Sequence, residues 1–504
     1  MPLSVATNND HQTANRTAWL LAALLAVAVL RLWRLSEAGP IDYDSVRNWK
    51  VVQQVAQGDF ANLFLPGSPG FLLFYAPVVA LTQDFLVFQF LNALLGLAAL
   101  GFFVAWVAQK ATLTGPETAG LTLLAGTSLL LTFSGRDFTT GSAGLLLYVG
   151  LLRSHFERLQ RPGVAAALRV AGWLAVGLCF NYKFLFTLPI LAVLEVERAD
   201  GLWRQRGLWR RVLLVLAAPY VLLGILGVLG GLPWYRWLGF YFRMVVPTPS
   251  AIGRQAPLHL DFLYYPHYLI SYESPLLLAG LGLSAWLVWH TWRSKSLFRK
   301  VPLPLLAYLL VWAGCLLAGM SLLAKAPRGL LFAYMPLAAL AVLSGRRVLP
   351  GWALTSVVLA AVGLNAFRIQ RELYTSLPTV YPQVGAWLRA HGATKVVSTA
   401  GLGLAPYLDK HQTVVVTNDE RSLATLRRQG YQYVLLDGYW RVAGVYRFDS
   451  LRRQSPVAAW AEPQLHSSLL FLEHSEFTGL GYGESLAASR AAAADTLALR
   501  LYRL

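Results

Sequence analysis

Carboxylates at two places in the sequence have the types and spacing that acid–base chemistry needs. Asp42 and Asp44 follow the first hydrophobic segment, and they share a face if the backbone between them is extended. Asp137 lies in a short turn between two apolar runs, beside Arg136. One such carboxylate can accept the proton of a hydroxyl while a second orients it, or a pair can bind a divalent cation.

Each acid site also has a purely structural interpretation. Asp44 begins a helical pattern over residues 45–57, whose apolar residues share one face and which ends at Gly58. It is therefore equally expected as the N-cap of a short helix that lies along the membrane interface. The adjacent Arg136 and Asp137 would serve equally well to close a tight turn.

Basic side chains stand at several turns between the same apolar runs. They are Arg136, Lys183, Arg236, Arg243, Arg254, Lys325 and Arg328. Cations at the edge of a membrane suit an anionic lipid headgroup, most simply a phosphate, because arginine and lysine pair with phosphate oxygens. The alternative is that these long side chains reach toward lipid phosphates in general.

The composition places most of the chain in lipid. Of 504 residues, 56% are hydrophobic and only 13% are charged, whereas about a quarter of a soluble domain is charged. The formal net charge is +18, but the arginines are distributed between the apolar runs and do not form one basic face. This distribution argues against a nucleic-acid partner. Cys179 and Cys315 lie in separate apolar runs and are expected to be buried thiols.

Apolar runs predict about eleven transmembrane helices between residues 17 and 367. They lie near 17–35, 85–108, 118–133, 139–152, 166–180, 184–196, 212–231, 268–291, 302–323, 329–344 and 350–367. A further apolar piece, 70–81, is too short to cross as a helix and is predicted to be re-entrant or interfacial.

The basic residues assign the two sides of the membrane. If 70–108 makes one net crossing, every dense cluster of lysine and arginine falls on one side, which the positive-inside rule makes cytoplasmic. The N-terminal tail, 1–16, is then cytoplasmic. The predicted extracytoplasmic loops are 36–69, 134–138, 181–184, 232–267 and 324–329. The carboxylates and cations singled out above all lie in these outside loops.

From residue 371 the sequence reads as a small soluble α/β domain, 371–504, on the extracytoplasmic side. Strands are predicted at 395–399, 413–417 and 433–438, helices at 381–392 and 420–430, and the last residues, LALRLYRL, are predicted to close a sheet edge. The stretch AGLGLAP after the first strand lacks the full dinucleotide fingerprint, so no nucleotide role is expected.

The order of these pieces resembles the polytopic glycosyltransferases of the GT-C fold, in particular the protein-mannosyltransferase and aminoarabinose-transferase-like group (glycosyltransferase family 39-like). The resemblance covers residues 17 to about 345. It rests on a first span, the acidic motif, a helix ending in QGDF, the stretch SPGFLLFYAP, an outside turn with RD, then NYKF and APRGLLFAYMPLAAL. The chain departs from the family in having Ser45 after Asp44, where glutamate is frequent, and in the adjacency of Arg136 and Asp137.

The resemblance implies an all-α polytopic membrane domain, 17–370, followed by the small α/β domain, and it assigns roles to residues. The acid of the first outside loop acts as base, which points to Asp44 or its neighbour Asp42, and the acid of the second turn matches Asp137. The predicted donor-phosphate residues are Lys183, Arg328, Lys325 and Arg136.

The predicted reaction is an inverting glycosyl transfer at the outer face of a bacterial cytoplasmic membrane. The donor is a polyprenyl-phosphate-linked sugar, and the acceptor is a hydroxyl of a protein, lipid or glycan. The predicted substrate pocket contains Trp234, Tyr235, Tyr264 and Tyr265, although an aromatic belt would explain these residues equally well. No cofactor is predicted, apart from a divalent ion on Asp42 and Asp44 if the reaction uses one.

Two other classes of protein remain as alternatives, a lipid or sugar transporter or flippase, and a non-catalytic lipid- or sugar-binding scaffold. Transporters commonly carry ionisable groups midway through broken spans and show internal repeats. Here the charges lie at loop level and no repeat is evident, which favours the transferase. The sequence specifies neither the sugar nor the acceptor.

Overall fold

The chain folds into a helical bundle followed by a mixed sheet. The computed structural model describes residues 4–40, 43–65, 67–196, 201, 206–239, 258–292, 303–376, 378–399, 401–438, 442, 448–494 and 499–504. Several residues singled out in the sequence lie outside these ranges, namely Asp42, Arg243 and Arg254.

The bundle consists of helices that match the predicted apolar runs. They are α1 (Ser4–Leu32), α2 (Tyr43–Ala56), α3 (Pro69–Tyr75), α4 (Phe85–Ala111), α5 (Gly115–Gly126), α6 (Leu129–Gly135), α7 (Gly141–Gln160), α8 (Val164–Phe180), α9 (Thr187–Val196), α10 (Arg206–Leu229), α11 (Tyr264–Tyr272), α12 (Pro275–Trp292), α13 (Leu305–Met320), α14 (Tyr334–Val348) and α15 (Gly351–Ile369).

Four stretches of the described chain are helical, long and apolar enough to cross a membrane. They are Thr13–Glu37, Phe85–Ala111, Gly207–Leu229 and Gly351–Tyr374. Helices α5 and α6 form a fifth if they are counted together, although they meet at a bend of 65°. Of the other predicted spans, 166–180, 268–291 and 302–323 contain shorter apolar helices. The bundle therefore agrees with a multi-pass membrane protein, while the count of about eleven crossings stays a prediction.

The bend between α5 and α6 is held by a carboxylate from another part of the chain. Glu273, which is fully buried, accepts the N–H groups of Leu129 at 3.0 Å and Leu130 at 2.9 Å. Ser128 caps the same helix start by accepting the N–H of Leu131. These acceptors satisfy amide groups that a helix start leaves without intrahelical partners, so the break tolerates burial.

The two interfacial elements predicted before the second span are both present. Helix α2 buries the apolar face of the predicted pattern and ends before Gly58, whose positive φ of 82° suits glycine. The short apolar piece forms α3 and a following 3₁₀ turn, Ala76–Ala80. Phe138 from the α6–α7 turn packs against Phe71 and Tyr75 of α3, so this region and the Asp137 turn share one apolar cluster.

Close helix packing in the bundle depends on glycine at particular contacts. A Cβ added at Gly280 of α12 would lie 2.4 Å from the Cα of Ala341 of α14. A Cβ at Gly126 of α5 would lie 2.4 Å from a methyl group of Val27 of α1. Because such distances are far below van der Waals contact, the two helix pairs can approach this closely only where the side chain is absent.

The C-terminal part forms a five-stranded sheet, β1 (Lys395–Thr399), β2 (Thr413–Thr417), β3 (Tyr433–Leu436), β4 (Ala458–Trp460) and β5 (Leu499–Arg503). The strand order is β2-β1-β3-β5-β4. Strand β1 runs parallel to both β2 and β3, and β5 runs antiparallel to β3 and β4. The prediction that the last residues close a sheet edge is wrong, because β4 pairs with the other side of β5.

Short helices surround this sheet. They are α16 (Tyr381–Ala390), α17 (Leu423–Arg428), α18 (Asp449–Arg452), α19 (Ser468–Glu473), α20 (Ser475–Thr478) and α21 (Tyr482–Ala493). The apolar residues of α19, Leu469 to Leu472, belong to the same continuous hydrophobic core as the bundle helices. The C-terminal part is therefore packed on the bundle and not tethered at a distance.

Candidate active site

The turn that carries Arg136 and Asp137 lies against the end of α1. Arg136 is fully buried, and its Nη1 atom donates to the carbonyl oxygens of Arg31 at 2.6 Å and Trp33 at 2.8 Å. Its guanidinium also stacks over the ring of Tyr374 at 5.3 Å. These contacts satisfy carbonyls at the end of a helix, which is a structural role. A phosphate-binding role for Arg136 stays a prediction.

Asp137 is buried, and its charge reaches a tyrosine of the C-terminal domain. Its Oδ1 accepts the N–H of Phe138 at 2.9 Å, and its carbonyl oxygen accepts Nδ2 of Asn92 at 2.6 Å. Burial raises the pKa of Tyr407, and the charges of Glu462 and Asp137 raise it further. Tyr407 therefore lies within electrostatic reach of both a bundle carboxylate and a carboxylate of the C-terminal domain.

The loop after α8 links the Asp137 turn to a predicted phosphate cation. Asn181 Nδ2 donates to Thr140 Oγ1 at 3.3 Å, three residues after Asp137. The Oδ1 atom of the same asparagine accepts the N–H of Lys183 at 3.0 Å. One amide side chain thus joins the turn with the acid to the loop with the lysine.

Lys183 and Arg328 come together although 145 residues separate them. Lys183 Nζ donates to the carbonyl oxygen of Arg328 at 2.6 Å. Arg328 lies in a 3₁₀ turn, Pro327–Leu330, just before α14. The contact line from the Asp137 turn through Asn181 to Lys183 and Arg328 is continuous, so these predicted residues share one face of the bundle.

Two glutamates of the C-terminal domain hold Arg328. Glu476 Oε1 lies 2.5 Å from Arg328 Nη2, and Glu473 Oε2 lies 3.8 Å from Arg328 Nε. Glu473 Oε1 also accepts the backbone N–H of Arg328 at 2.9 Å. Burial raises the pKa of Glu473 to about 7, while Arg328 and Lys183 act in the opposite direction. The guanidinium lies over the ring of Phe477, 5.2 Å from its centroid.

Lys325, three residues before Arg328, has different surroundings. Its Nζ atom is buried among backbone carbonyl oxygens and donates to Ser321 at 2.9 Å, His259 at 2.5 Å and also Leu323. Burial lowers the pKa of Lys325 to about 8, and Asp261 opposes that shift. These contacts close the end of α13, and a phosphate-binding role for Lys325 stays a prediction.

Asp44 lies inside the first turn of α2. Because the helix begins at Tyr43, Asp44 is past the N-cap position, and its carboxylate forms an ion pair with Arg47 at 3.0 Å. A negative charge in the first turn is favoured by the helix dipole. Asp42 lies outside the described residues, so the choice between the two acids as base stays a prediction.

The four aromatic residues of the predicted pocket lie in two different environments. Tyr264 and Tyr265 are buried in α11, where Tyr264 bonds Ser475 Oγ at 3.0 Å and Tyr265 donates to the carbonyl of Ala326 at 3.1 Å. Trp234 and Tyr235 are 62% and 54% exposed after α10. Tyr264 thus supports the docking of the C-terminal domain and Tyr265 holds the loop before α14, while a sugar-binding role for the four stays a prediction.

A small cavity, partly open to solvent and with room for about one water molecule, lies between the loop after α1 and the C-terminal domain. Its lining includes Pro40, two residues before Asp42, and the carboxylates Asp437 and Glu462. The hydroxyl of Tyr381 donates to Asp437 Oδ1 at 2.7 Å. Burial raises the pKa of Glu462 to about 8, and the charge of Asp437 raises it as well.

This cavity lies where the strand order of the sheet reverses, a position at which ligands commonly bind. Strand β2 lies on one side of β1 and β3 on the other, so the order reverses at β1. In open parallel sheets such a reversal leaves a crevice at the carboxyl ends of the strands. Asp437 follows β3 and the glycines Gly401 and Gly403 follow β1, and all three line the cavity.

The described residues contain no group of three or more histidine, cysteine, aspartate or glutamate side chains that could hold a metal ion. Since Asp42 lies outside that part of the chain, this finding does not test a divalent ion on Asp42 and Asp44. The dependence on metal stays a prediction.

No protein-family model matches the chain, and no curated protein matches it by sequence. Solved structures do match. ArnT from Cupriavidus metallidurans in the apo state is 14% identical, with a TM-score of 0.54 over 88% of this chain and 96% of that one. The same protein bound to undecaprenyl phosphate gives 15% identity and a TM-score of 0.53. An Archaeoglobus fulgidus oligosaccharyltransferase tethered to an acceptor peptide is 11% identical, with a TM-score of 0.51 over 84% and 69% of the two chains.

These neighbours are GT-C fold membrane glycosyltransferases, and the likeness shows that the chain has this fold, as the resemblance predicted. With 88% of the chain covered, the likeness also extends beyond residues 17–345, into the part that the resemblance did not cover. At such low identity it shows the fold alone.

Sequence reasoning missed the acids that the C-terminal domain brings to this face. They are Asp437, Glu462, Glu473 and Glu476. One signal was available for the last two, because acids three residues apart directly follow the apolar run LLFL in a chain of strongly basic charge.

Proposed function

We propose that this chain is an integral-membrane inverting glycosyltransferase that uses a polyprenyl-phosphate-linked sugar as donor and a hydroxyl as acceptor. The observation that carries the proposal is the contact line that joins the Asp137 turn, through Asn181, to Lys183 and Arg328. It brings a carboxylate and two cations from three separate loops to one face of a GT-C fold. The neighbour that binds undecaprenyl phosphate supports the same class of lipid carrier.

Lys183 and Arg328 are proposed to bind the donor phosphate. In the reaction, the acceptor oxygen forms a bond to the anomeric carbon while the bond from that carbon to the phosphate oxygen breaks. Both electrons of the broken bond leave with the polyprenyl phosphate, whose negative charge therefore grows. Two fixed cations beside that oxygen stabilise the developing charge more than the charge of the bound donor.

The base is proposed to be Asp44 or Asp42, which takes the proton of the acceptor hydroxyl as its oxygen attacks. A positioned carboxylate in this role is typically worth about 10²–10⁴ in rate. Asp137 is proposed to orient the acceptor, since it lies within electrostatic reach of Tyr407, as Glu462 of the cavity does. Helix α2 would keep the base at the height of the lipid headgroups.

The small cavity between the loop after α1 and the C-terminal domain is proposed to bind a single hydroxyl group of the acceptor. Its lining contains two carboxylates, Asp437 and Glu462, and an uncharged hydroxyl suits them because carboxylates accept hydroxyl hydrogen bonds. A Glu462 with a pKa of about 8 also carries a proton at neutral pH and can donate one such bond. Negatively charged acceptor groups would be repelled.

The proposed orientation places this face outside the cytoplasmic membrane. Its support is the clustering of cations at the other end of the helices, where Arg16 donates to the carbonyl of Ala108 and Arg346 to that of Ala111. Arg346 also pairs with Glu117 at 3.5 Å. The positive-inside rule makes that end cytoplasmic.

The test is a transfer assay on the full chain in lipid nanodiscs, after mass spectrometry has identified the lipid-linked sugar that copurifies with it. Wild-type protein should release polyprenyl phosphate and glycosylate an acceptor. Asp44→Asn or Asp42→Asn should abolish release, while Asp59→Asn should not, because Asp59 is an exposed acid of the same loop whose carboxylate accepts the N–H of Ala61. Full activity of both Asp44→Asn and Asp42→Asn would contradict the assignment of the base. Movement of the lipid without transfer would identify a flippase, and binding alone a scaffold.

A further inference from the structure

The guanidinium of Arg328 is held by one short segment of the C-terminal domain. The segment runs through α19 and α20, and it places Glu473, Glu476 and Phe477 around Arg328. These are the residue types that bind a cation, two carboxylates and an aromatic face. The sequence assigned no role to the C-terminal domain. This domain therefore contacts Arg328, the cation that is proposed to bind the donor phosphate.

The two glutamates differ in burial and in the atoms of Arg328 that they contact. Glu473 is only 2% exposed, and it binds the backbone N–H of Arg328 as well as lying near the guanidinium. Glu476 is 25% exposed and contacts the outer nitrogen, Nη2. Glu473 thus fixes the position of the loop, whereas Glu476 occupies the accessible edge of the guanidinium.

A phosphate and a carboxylate use the same edge of an arginine. Both bind guanidinium N–H groups through two oxygens in a plane, and both carry negative charge. Two anions on the same edge would repel each other, so the arrival of one favours the departure of the other. A partly exposed ion pair is weak enough to be exchanged, because water and salt screen the attraction between its charges.

We propose that Glu476 is an exchangeable counter-ion of the donor site, which holds the Arg328 guanidinium and yields it to the phosphate of the polyprenyl lipid. This inference rests on the proposed function, in which Arg328 is a phosphate ligand. Glu476 thereby weakens the retention of polyprenyl phosphate, the product with the greater charge, and its return to Arg328 favours release of that product. The C-terminal domain sets the affinity of the donor site by this contact.

The experiment measures binding of undecaprenyl phosphate to the full chain in detergent micelles. Glu476→Gln is expected to bind about 3- to 10-fold more tightly than wild type, the size expected when a competing, partly exposed ion pair is removed. Glu476→Ala should show the same gain, which separates loss of the charge from any new contact of the glutamine amide. Asp449→Asn is the matched control, because it removes one acid of an exposed pair with Arg452 in the same domain. It should bind as wild type does.

Two further measurements distinguish a failure of this proposal from a failure of the proposed function. Arg328→Gln should lose binding at least about tenfold, and wild-type affinity in that variant would overturn the donor site itself. If Arg328→Gln loses binding while Glu476→Gln and Glu476→Ala show no gain, the donor site stands and the exchange is overturned. Undecaprenol, which lacks the phosphate, is the ligand control. A gain of the Glu476 variants toward undecaprenol would also overturn the exchange, because the effect would not depend on the anion.

Discussion

On the cation side of the candidate active site, Lys183 and Arg328 lie close to carboxylates of the C-terminal domain, whereas on the acid side Asp137 of the bundle and Glu462 of that domain both lie within electrostatic reach of Tyr407. Opposite charges lie together in the first case, whereas in the second the domain contributes two neighbouring acids, Glu462 and Asp437. The same small domain therefore neutralises cations of the bundle on one side and adds acidic groups on the other.

The difference corresponds to two kinds of chemistry. A cation that binds an incoming anion must be held in position by contacts that are easily exchanged. A weakly bound counter-ion meets this requirement until the anion arrives. A carboxylate that shares hydroxyl hydrogen bonds can instead be buried beside another acid, and burial together with the charge of Asp437 raises the pKa of Glu462 to about 8. The contrast between the two sides thus supports a division into phosphate binding and hydroxyl handling.

The largest effect is expected on the acid side. Asp137→Asn should lower the transfer rate about 10²- to 10⁴-fold, because it removes the charge that orients the acceptor while it keeps the shape of the side chain. Binding of undecaprenyl phosphate should be unchanged, since that ligand is assigned to the other side. Parallel rate and binding measurements check this, with Asp59→Asn as control. Equal losses in rate and lipid binding would show that the two sides are not separate.

On the cation side, Lys183→Gln should lower the transfer rate about 10²- to 10³-fold, as loss of one group that stabilises a developing oxyanion does. Single-turnover rates with saturating donor provide the measurement. If the rate falls less than about tenfold, Lys183 serves only to hold the Arg328 loop through the carbonyl that it binds.

Lys325→Gln offers the matched comparison, because Lys325 is a second loop lysine but donates to backbone carbonyls at the end of α13. This variant should lose about 1–3 kcal/mol of stability, the usual cost of leaving buried carbonyls unpaired, while the rate per folded molecule stays near wild type. Thermal unfolding and activity assays on the same samples separate the two effects. A rate loss as large as that of Lys183→Gln would instead indicate that Lys325 binds the donor phosphate.

Periodicity was sufficient to predict much of the fold. Strands β1 and β2 occupy the predicted ranges, because runs such as KVVST and TVVVT combine β-branched residues with turn signals on both sides. The amphipathic face of α2 was predicted for the same kind of reason, since apolar residues recur at helical spacing. Strand β4, AAW, has only three residues and no β-branched side chain, so no sequence pattern predicts it. For this reason β5 was wrongly predicted to lie at an edge of the sheet.

The site was predictable only where a residue belongs to a recognisable loop of the bundle. Lys183 and Arg328 were both predicted, and the structure brings them into contact. Lys325 was grouped with them because of its charge and position, although backbone carbonyls that no sequence pattern reveals surround its ammonium group. Glu473 and Glu476 reach Arg328 from about 145 residues away through docking of a separate domain, and a contact of that range leaves no local signature.

The acid side should also contribute a pH dependence of stability through Glu462. The folded chain raises the pKa of Glu462 from its ordinary value near 4.5 to about 8, so the folded state binds this proton more tightly than the unfolded chain does. The stabilising contribution is complete below about pH 4.5 and is lost as the pH rises to about 8. Glu462→Gln should lack this loss, and its melting temperature should exceed that of wild type by a few degrees at pH 8. Melting curves from pH 5 to 9 check this, and parallel curves for the two proteins would contradict it.

The smallest effect is expected from Phe477, whose ring lies beneath the Arg328 guanidinium. Phe477→Leu keeps an apolar side chain but removes the cation–π contact, which contributes about 0.5–1 kcal/mol at a site of this exposure. Binding of undecaprenyl phosphate should therefore weaken only about two- to fivefold. This direction is opposite to that expected for Glu476→Gln, although the two residues are neighbours on the same segment. Tighter binding by Phe477→Leu would show that any loosening of the segment favours the lipid, and the specific contrast between the two sides of the site would then fail.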